Sequence, residues 1–189
     1  RMGDDPAAAA TLRDDLGHAC SRVPQNTGRW LGREGYRQDL YFGPLDPAAR
    51  RLTLEIGAVQ VQEEGSATVT IPLAGRQLGD TWALDRTVNL GRRPVHLKTA
   101  TLAKDHGAPW LYIDVELGDT VDGRTLASFQ GKSQGGSAWM ASMGKGHGAQ
   151  MDRFGVPVEP GQQEVILELS APIVVVEGPW QMTFPVGGE

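Results

Sequence analysis

The sequence predicts an all-β protein, built as two tandem immunoglobulin-like antiparallel β sandwiches, the first of them short of about two strands. Three observations lead there. Residues 52–73 (LTLEIGAVQVQEEGSATVTIPL) and 165–186 (VILELSAPIVVVEGPWQMTFPV) align without a gap at an offset of 113, with eight of 22 positions identical. The identities are Leu54/Leu167, Glu55/Glu168, Ala58/Ala171, Val61/Val174, Glu64/Glu177, Gly65/Gly178, Thr70/Thr183 and Pro72/Pro185. A period near 110 residues belongs to duplicated domains rather than to a solenoid. Apolar residues also alternate with polar ones along several short segments, the period of a half-buried strand. Turn signals separate those segments at close intervals, as in a sandwich.

Taken in order, Asp5-Pro6 followed by AAAATLRDDLG predicts one short helix, with Asp5 as cap, Pro6 in the first turn and Gly17 just past the end. Residues 18–38 show no period and read as loop. In Leu52–Ile56 the apolar side chains fall on one face and Thr53 and Glu55 on the other; Val59 and Val61 continue the strand. Glu63-Glu64-Gly65-Ser66 makes a turn, and Val69, Ile71 and Leu73 line the next strand. Trp82–Leu84 with Thr87–Leu90, Val95–Thr101 and Leu111–Leu117 come next, punctuated by Gly91-Arg92-Arg93-Pro94 and Asp122-Gly123. Residues 131–150, with six glycines, read as a long loop, and the second repeat closes the chain. Asp46-Pro47-Ala48-Ala49 and Glu159-Pro160-Gly161 fit short helical corners. The repeats are expected to superpose as hairpin-like segments. Leu52, Leu54, Ile56, Val69 and Ile71 should then be buried like Val165, Leu167, Leu169, Met182 and Phe184.

The repeat sets the domain boundaries: 1–75 as the first, partial unit with its short helix, and 76–189 as the second. The two strands Val95–Thr101 and Leu111–Leu117 precede the Asp122-Gly123 turn, whereas only Arg1–Arg13 precede the corresponding Asp14-Asp15-Leu16-Gly17. The first unit is therefore expected to leave a sheet edge unpaired and its core partly open. The chain, 189 residues with 40% hydrophobic and 22% charged content, is that of a globular protein. A net charge of −5 without a Lys/Arg cluster argues against a nucleic-acid surface. The single cysteine, Cys20, excludes an internal disulfide framework. No stretch approaches 18 apolar residues, so a membrane would be reached only through segments outside this chain. Arg1-Met2-Gly3-Asp4 reads as the beginning of a piece of something longer.

The stretch 41–56 (YFGPLDPAARRLTLEI), with Val69-Thr70-Ile71-Pro72-Leu73 after it and Gly178-Pro179-Trp180-Gln181-Met182-Thr183-Phe184-Pro185-Val186 at the close, resembles a pattern of bacterial surface proteins. These are the DUF4179/DUF5643-type ectodomains of Firmicutes membrane-anchored anti-sigma-factor-like proteins. Asp46 stands where that pattern has a proline, and Ala67 where the second repeat has Trp180. The motifs are structural and bring no catalytic residue with them. The resemblance implies an extracytoplasmic β-rich module at the cell surface, engaged in envelope sensing.

No residue set here has the pattern of a catalytic site. Gly131-Lys132-Ser133 ends like a phosphate loop, but the glycine required five residues upstream is replaced by Leu126. His18, His96, His106 and His147 lack partners at metal-ligand spacing. Asp114, Glu116, Asp119 and Asp122 form an acidic run with oxygen ligands for calcium, and turn chemistry accounts for them equally well. Cys20 has His18 and Arg22 near it in sequence only, whereas a thiol nucleophile needs a positioned base. Ser128, Ser133, Ser137 and Ser142 carry no nucleophile-elbow pattern. No metal, cofactor or enzymatic activity is expected. Trp139, Met140 and Met143, with Met151, are the candidate partner contacts, since large apolar residues on a long loop either pack onto their own domain or dock another protein. Two functions compete. One is a non-enzymatic extracytoplasmic module of a membrane-anchored regulator that binds an envelope ligand or a protein. The other is a self-assembling cell-surface subunit, pilus-like or adhesin-like, completed by strand donation.

Overall fold

The computed structural model describes residues 10–23, 29–30, 36–37, 39–105, 107–133 and 151–186. Among them every regular element is a β-strand: β1 (Ala10–Asp14), β2 (Ala19–Cys20), β3 (Arg22–Val23), β4 (Arg29–Trp30), β5 (Tyr36–Arg37), β6 (Tyr41–Phe42), β7 (Arg51–Gln62), β8 (Ser66–Pro72), β9 (Thr81–Leu90), β10 (Arg93–Asp105), β11 (Ala108–Leu117), β12 (Arg124–Ser133), β13 (Arg153–Pro157) and β14 (Glu164–Pro185). All the registered pairings are antiparallel. The chain divides into two compact units. Gln60–Glu177 belong to unit 1, and Pro6–Val59 with Gly178–Glu189 make unit 2. The division is discontinuous in sequence, and position 75/76 falls inside unit 1.

The reason lies in how the repeats pair. Neither folds back on itself as a hairpin; each lies antiparallel to the other. In unit 1, Pro72 faces Glu164 and Ser66 faces Ser170. In unit 2, Thr53 meets Thr183 and Glu55 meets Gln181. In each of these pairs the two residue numbers add to 236. Unit 1 therefore holds the second half of the first repeat beside the first half of the second, and unit 2 holds the complementary halves.

Unit 1 is sandwich-like. One sheet runs β12-β14-β8 and the other β13-β11-β10-β9. Their apolar faces share one buried cluster that includes Val69, Ile71, Val95, Leu97, Leu111, Ile113, Phe154, Val165, Leu167 and Leu169. Along β11 the period of two is strict: Leu111, Ile113, Val115 and Leu117 are buried, while Tyr112, Asp114 and Glu116 are not. Phe129 and Phe154 meet edge to face at 5.6 Å across that core. Gly65, one of the repeat identities, lies where a Cβ would come 2.7 Å from the Gly91 nitrogen. Its partner Gly178 would bring a Cβ to 2.5 Å from the Ile56 carbonyl oxygen. Close backbone approach explains why both copies hold glycine there.

A part-buried ion pair ties Glu63, in the turn between β7 and β8, to Arg93 at the start of β10. Arg93, 4% exposed, donates from Nε and Nη2 to the Glu63 carboxylate at 2.8 Å each, and from Nη1 to the carbonyls of Val121 and Arg124. Arg124 adds a third contact to Glu63 at 3.0 Å. The Arg93 hydrogen bonds, helped by Arg124 and opposed by burial, hold the Glu63 carboxyl at about 2.

Three expectations are corrected here. Residues 10–14 are strand rather than helix: Ala10, Leu12 and Asp14 are buried, Thr11 and Arg13 exposed, and β1 pairs with β7 from Ala10↔Ile56 to Asp14↔Leu52. Tertiary pairing overrides the helix propensity of the alanines. The segments at 46–49 and 159–161 are turns without helix, closed by Ala49 N–H to Asp46 O and Gln162 N–H to Glu159 O. Met182 and Phe184 are 51% and 41% exposed, not buried like their counterparts Val69 and Ile71 at 1%. Leu54 and Ile56 are half-buried. The expected turn at Asp14–Gly17 is present. The Asp14 carboxylate accepts from the Leu16 and His18 amides and from His18 Nδ1, and Gly17 adopts φ +89°.

Candidate interaction surface

The partner contacts read from the sequence, Trp139, Met140 and Met143, lie outside the described residues, as do His106, His147, Ser137 and Ser142. Met151 is described, and it is core: 2% exposed, its amide bonded to the Ala127 carbonyl. Gly131-Lys132-Ser133 ends strand β12, with Lys132 paired to Glu168 at 2.9 Å and Ser133 buried. That is ladder geometry, not a phosphate cradle. In the acidic run, Asp114 is held by Arg153 and Thr99, and Glu116 pairs with Lys98. Burial opposes ionisation of Asp114, but the Arg153 and Thr99 hydrogen bonds outweigh it and keep the carboxyl below its usual range. Among the described residues no group of three or more His, Cys, Asp or Glu is placed to hold a metal ion. Cys20 is a half-buried free thiol beside Leu12. Among the same residues no helix is long and apolar enough to cross a membrane.

Unit 2 offers a surface the sequence did not single out. The hydrogen bonds Thr53–Thr183 (3.1 Å) and Gln181–Glu55 (3.0 Å) place these side chains on one face of the β7–β14 pair. By the period of two, Leu52, Leu54 and Ile56 share the opposite face with Trp180, Met182 and Phe184. On the far side of β7 that face continues into Ala10, Leu12 and Asp14, which are buried. Burial decays outward across the sheet, and the outermost residues Trp180, Met182 and Phe184 are 37%, 51% and 41% exposed.

The same strand is an edge. Pairing of β12 with β14 reaches no further than Val176, so from Gly178 onward β14 has β7 on one side and no strand on the other among the described residues. The Val186 amide donates to Arg50 O. The antiparallel alternation from that bond turns the backbone groups of Gln181 and Thr183 outward. Pro179 and Pro185, which have no N–H, bracket them. The repeat identities at Thr183 and Pro185 thus sit at outward edge positions. Their presence was legible in the repeat; that they lay on a free edge was not, because sequence does not name a strand's neighbours. Comparison with protein-family models, curated proteins and solved structures gave no match to this chain.

Proposed function

We propose that this chain is a non-enzymatic extracytoplasmic module of a bacterial membrane-anchored, anti-sigma-like regulator. It binds a protein partner by strand addition at residues 179–185. The observation that carries this reading is the exposed row Trp180, Met182 and Phe184 on a strand that is paired on one side only among the described residues, beside burial of the counterparts Val69 and Ile71 in unit 1. In unit 1 a second sheet of alternating Val, Leu and Ile covers that row. The occupant that fits unit 2 is therefore an extended segment with apolar side chains at every second position, hydrogen-bonding to Gln181 and Thr183. The resemblance of residues 41–56 and 178–186 to surface-protein ectodomains supports the location and the regulatory role. A photo-reactive residue in place of Met182, in the intact protein in its own cells, should give one discrete heterologous adduct that Trp180→Glu abolishes. Absence of any adduct refutes the reading.

A second reading, the self-assembling surface subunit, is favoured by the strand's own pattern, since Trp-x-Met-x-Phe is complementary to itself in an antiparallel copy. Size-exclusion with light scattering separates the two. A partner-binding module stays monomeric; a subunit forms concentration-dependent oligomers that Met182→Lys disperses.

A further inference from the structure

Unit 1 contains a second open edge with different chemistry. β8 has β14 on one side only, and β9 has β10 on one side only, so each sheet ends in a free strand among the described residues. Between them lies a cleft of about 330 Å³. Val69, Ile71 and Leu97, each 1% exposed or less, form its floor. Trp82 and Leu84 line one wall, and Arg76 and Arg86 the rim. Trp82 lies opposite Ala100 and Arg86 opposite Leu97, both buried, so both side chains aim toward the inner side of their sheet. A bulge separates them: Leu84 and Asp85 together oppose Lys98, with Asp85 at φ +44°. An extra residue of this kind bends the strand locally. Trp82, Leu84 and Arg86, spaced by two along β9, share the inner face.

Five other Lys and Arg side chains of the unit are ion-paired, whereas Arg92 and Lys104 show no carboxylate partner among the described residues. Arg93 and Arg124 share Glu63, Arg153 holds Asp114, and Lys132 holds Glu168. Arg76 instead stacks 4.6 Å over the Trp82 ring, and neither it nor Arg86 has a carboxylate partner among the described residues. In a chain of net charge −5, two guanidinium groups without a carboxylate partner among the described residues, set over an apolar floor, form a local anion-binding rim. The backbone supplies the rest. Leu73 N–H bonds to Gln163 O and Ala171 N–H to Gly65 O, so the odd-numbered residues of β8 face β14. The N–H and C=O of Thr68 and Thr70 then face outward along the free edge.

We propose that the β8–β9 cleft of unit 1 binds an extended acidic peptide segment. The segment pairs with the outer edge of β8 at Thr68 and Thr70, seats an apolar side chain on Leu97 and Ile71, and gives its carboxylates to Arg76 and Arg86. The site is independent of the unit 2 strand. Pro72 at the end of β8 lacks an N–H and closes the pairing at that end, so the outward N–H groups of β8 are those of Ser66, Thr68 and Thr70. The ligand is thus a short motif rather than a whole strand of a sheet.

The probe is a blocked heptapeptide of alternating glutamate and valine, titrated into the protein at low salt. Backbone amides and arginine Nε–H groups are followed by NMR. Saturable binding is expected, with shifts at Thr68, Thr70, Arg76 and Arg86, and an affinity that falls with added salt. Arg76→Ala and Arg86→Ala should each weaken it by about tenfold, as loss of a charge-assisted hydrogen bond does. Arg86→Lys should retain most of it. Met182→Lys should leave it unchanged, which separates this site from the unit 2 edge. The lysine-for-glutamate peptide should not bind. A heptapeptide N-methylated at alternate amides should bind at least tenfold more weakly; equal binding overturns strand addition. No saturable binding, or binding retained by Arg76→Ala/Arg86→Ala with an unchanged melt, overturns the site.

Discussion

Replacing Glu63 by glutamine tests the largest electrostatic commitment in unit 1. Arg93 is 4% exposed, and its side chain gives two hydrogen bonds to Glu63 and two to backbone carbonyls. A glutamine can accept one of the two from Arg93 but leaves a buried guanidinium without a counter-charge, a loss on the order of 3 kcal/mol. The pH dependence gives a separate measure of the same interaction. The Glu63 carboxyl titrates at about 2 in the folded chain against an ordinary 4.5. That difference corresponds to roughly 3 kcal/mol of linked stability. Because the folded value is the lower one, this contribution is complete above about pH 4.5 and is lost as pH falls toward 2. Urea unfolding followed by fluorescence at pH values from about 7 to about 2 should show Glu63→Gln less stable than the parent by about 2–4 kcal/mol at neutral pH. The two curves should converge as the parent's carboxylate protonates. Parallel pH profiles, or a difference under about 0.5 kcal/mol at neutral pH, would refute the argument.

Two further substitutions probe the repeat. Ile71→Ala should cost about 3 kcal/mol, and Phe184→Ala, at the equivalent but exposed position, less than about 1 kcal/mol; chemical denaturation of both distinguishes a filled from an open core, and equal costs would contradict the assigned exposures. Gly65→Ala must push a Cβ into the Gly91 backbone at 2.7 Å and should lower the melting temperature by several degrees, an effect on the order of 2 kcal/mol, read by calorimetry.

The sequence alone determined that this is a β protein and where most of its strands run. Leu111–Leu117 and Val165–Leu169 alternate strictly, and a segment whose side chains must divide between core and solvent at every second residue has few other ways to fold. Turn chemistry was equally local: Gly17, Gly91 and Gly123 adopt the positive φ their turns require. The internal repeat was also legible, down to Gly65 and Gly178. What the sequence does not contain is the identity of a strand's neighbour. The repeats pair with each other instead of folding as separate hairpins, and so the compact units take one half from each. Residues 10–14 became strand because β7 offers them a ladder, an energy that no local propensity expresses. Glu63 and Arg93 are 30 residues apart, and the cleft brings β8 beside β9 through two different sheets. Met182 and Phe184 alternate as well as Val69 and Ile71 do. Alternation states only that a strand has an apolar face, whereas burial needs a second layer against it. Tertiary structure supplies that layer in unit 1 and leaves the outer strand of unit 2 exposed.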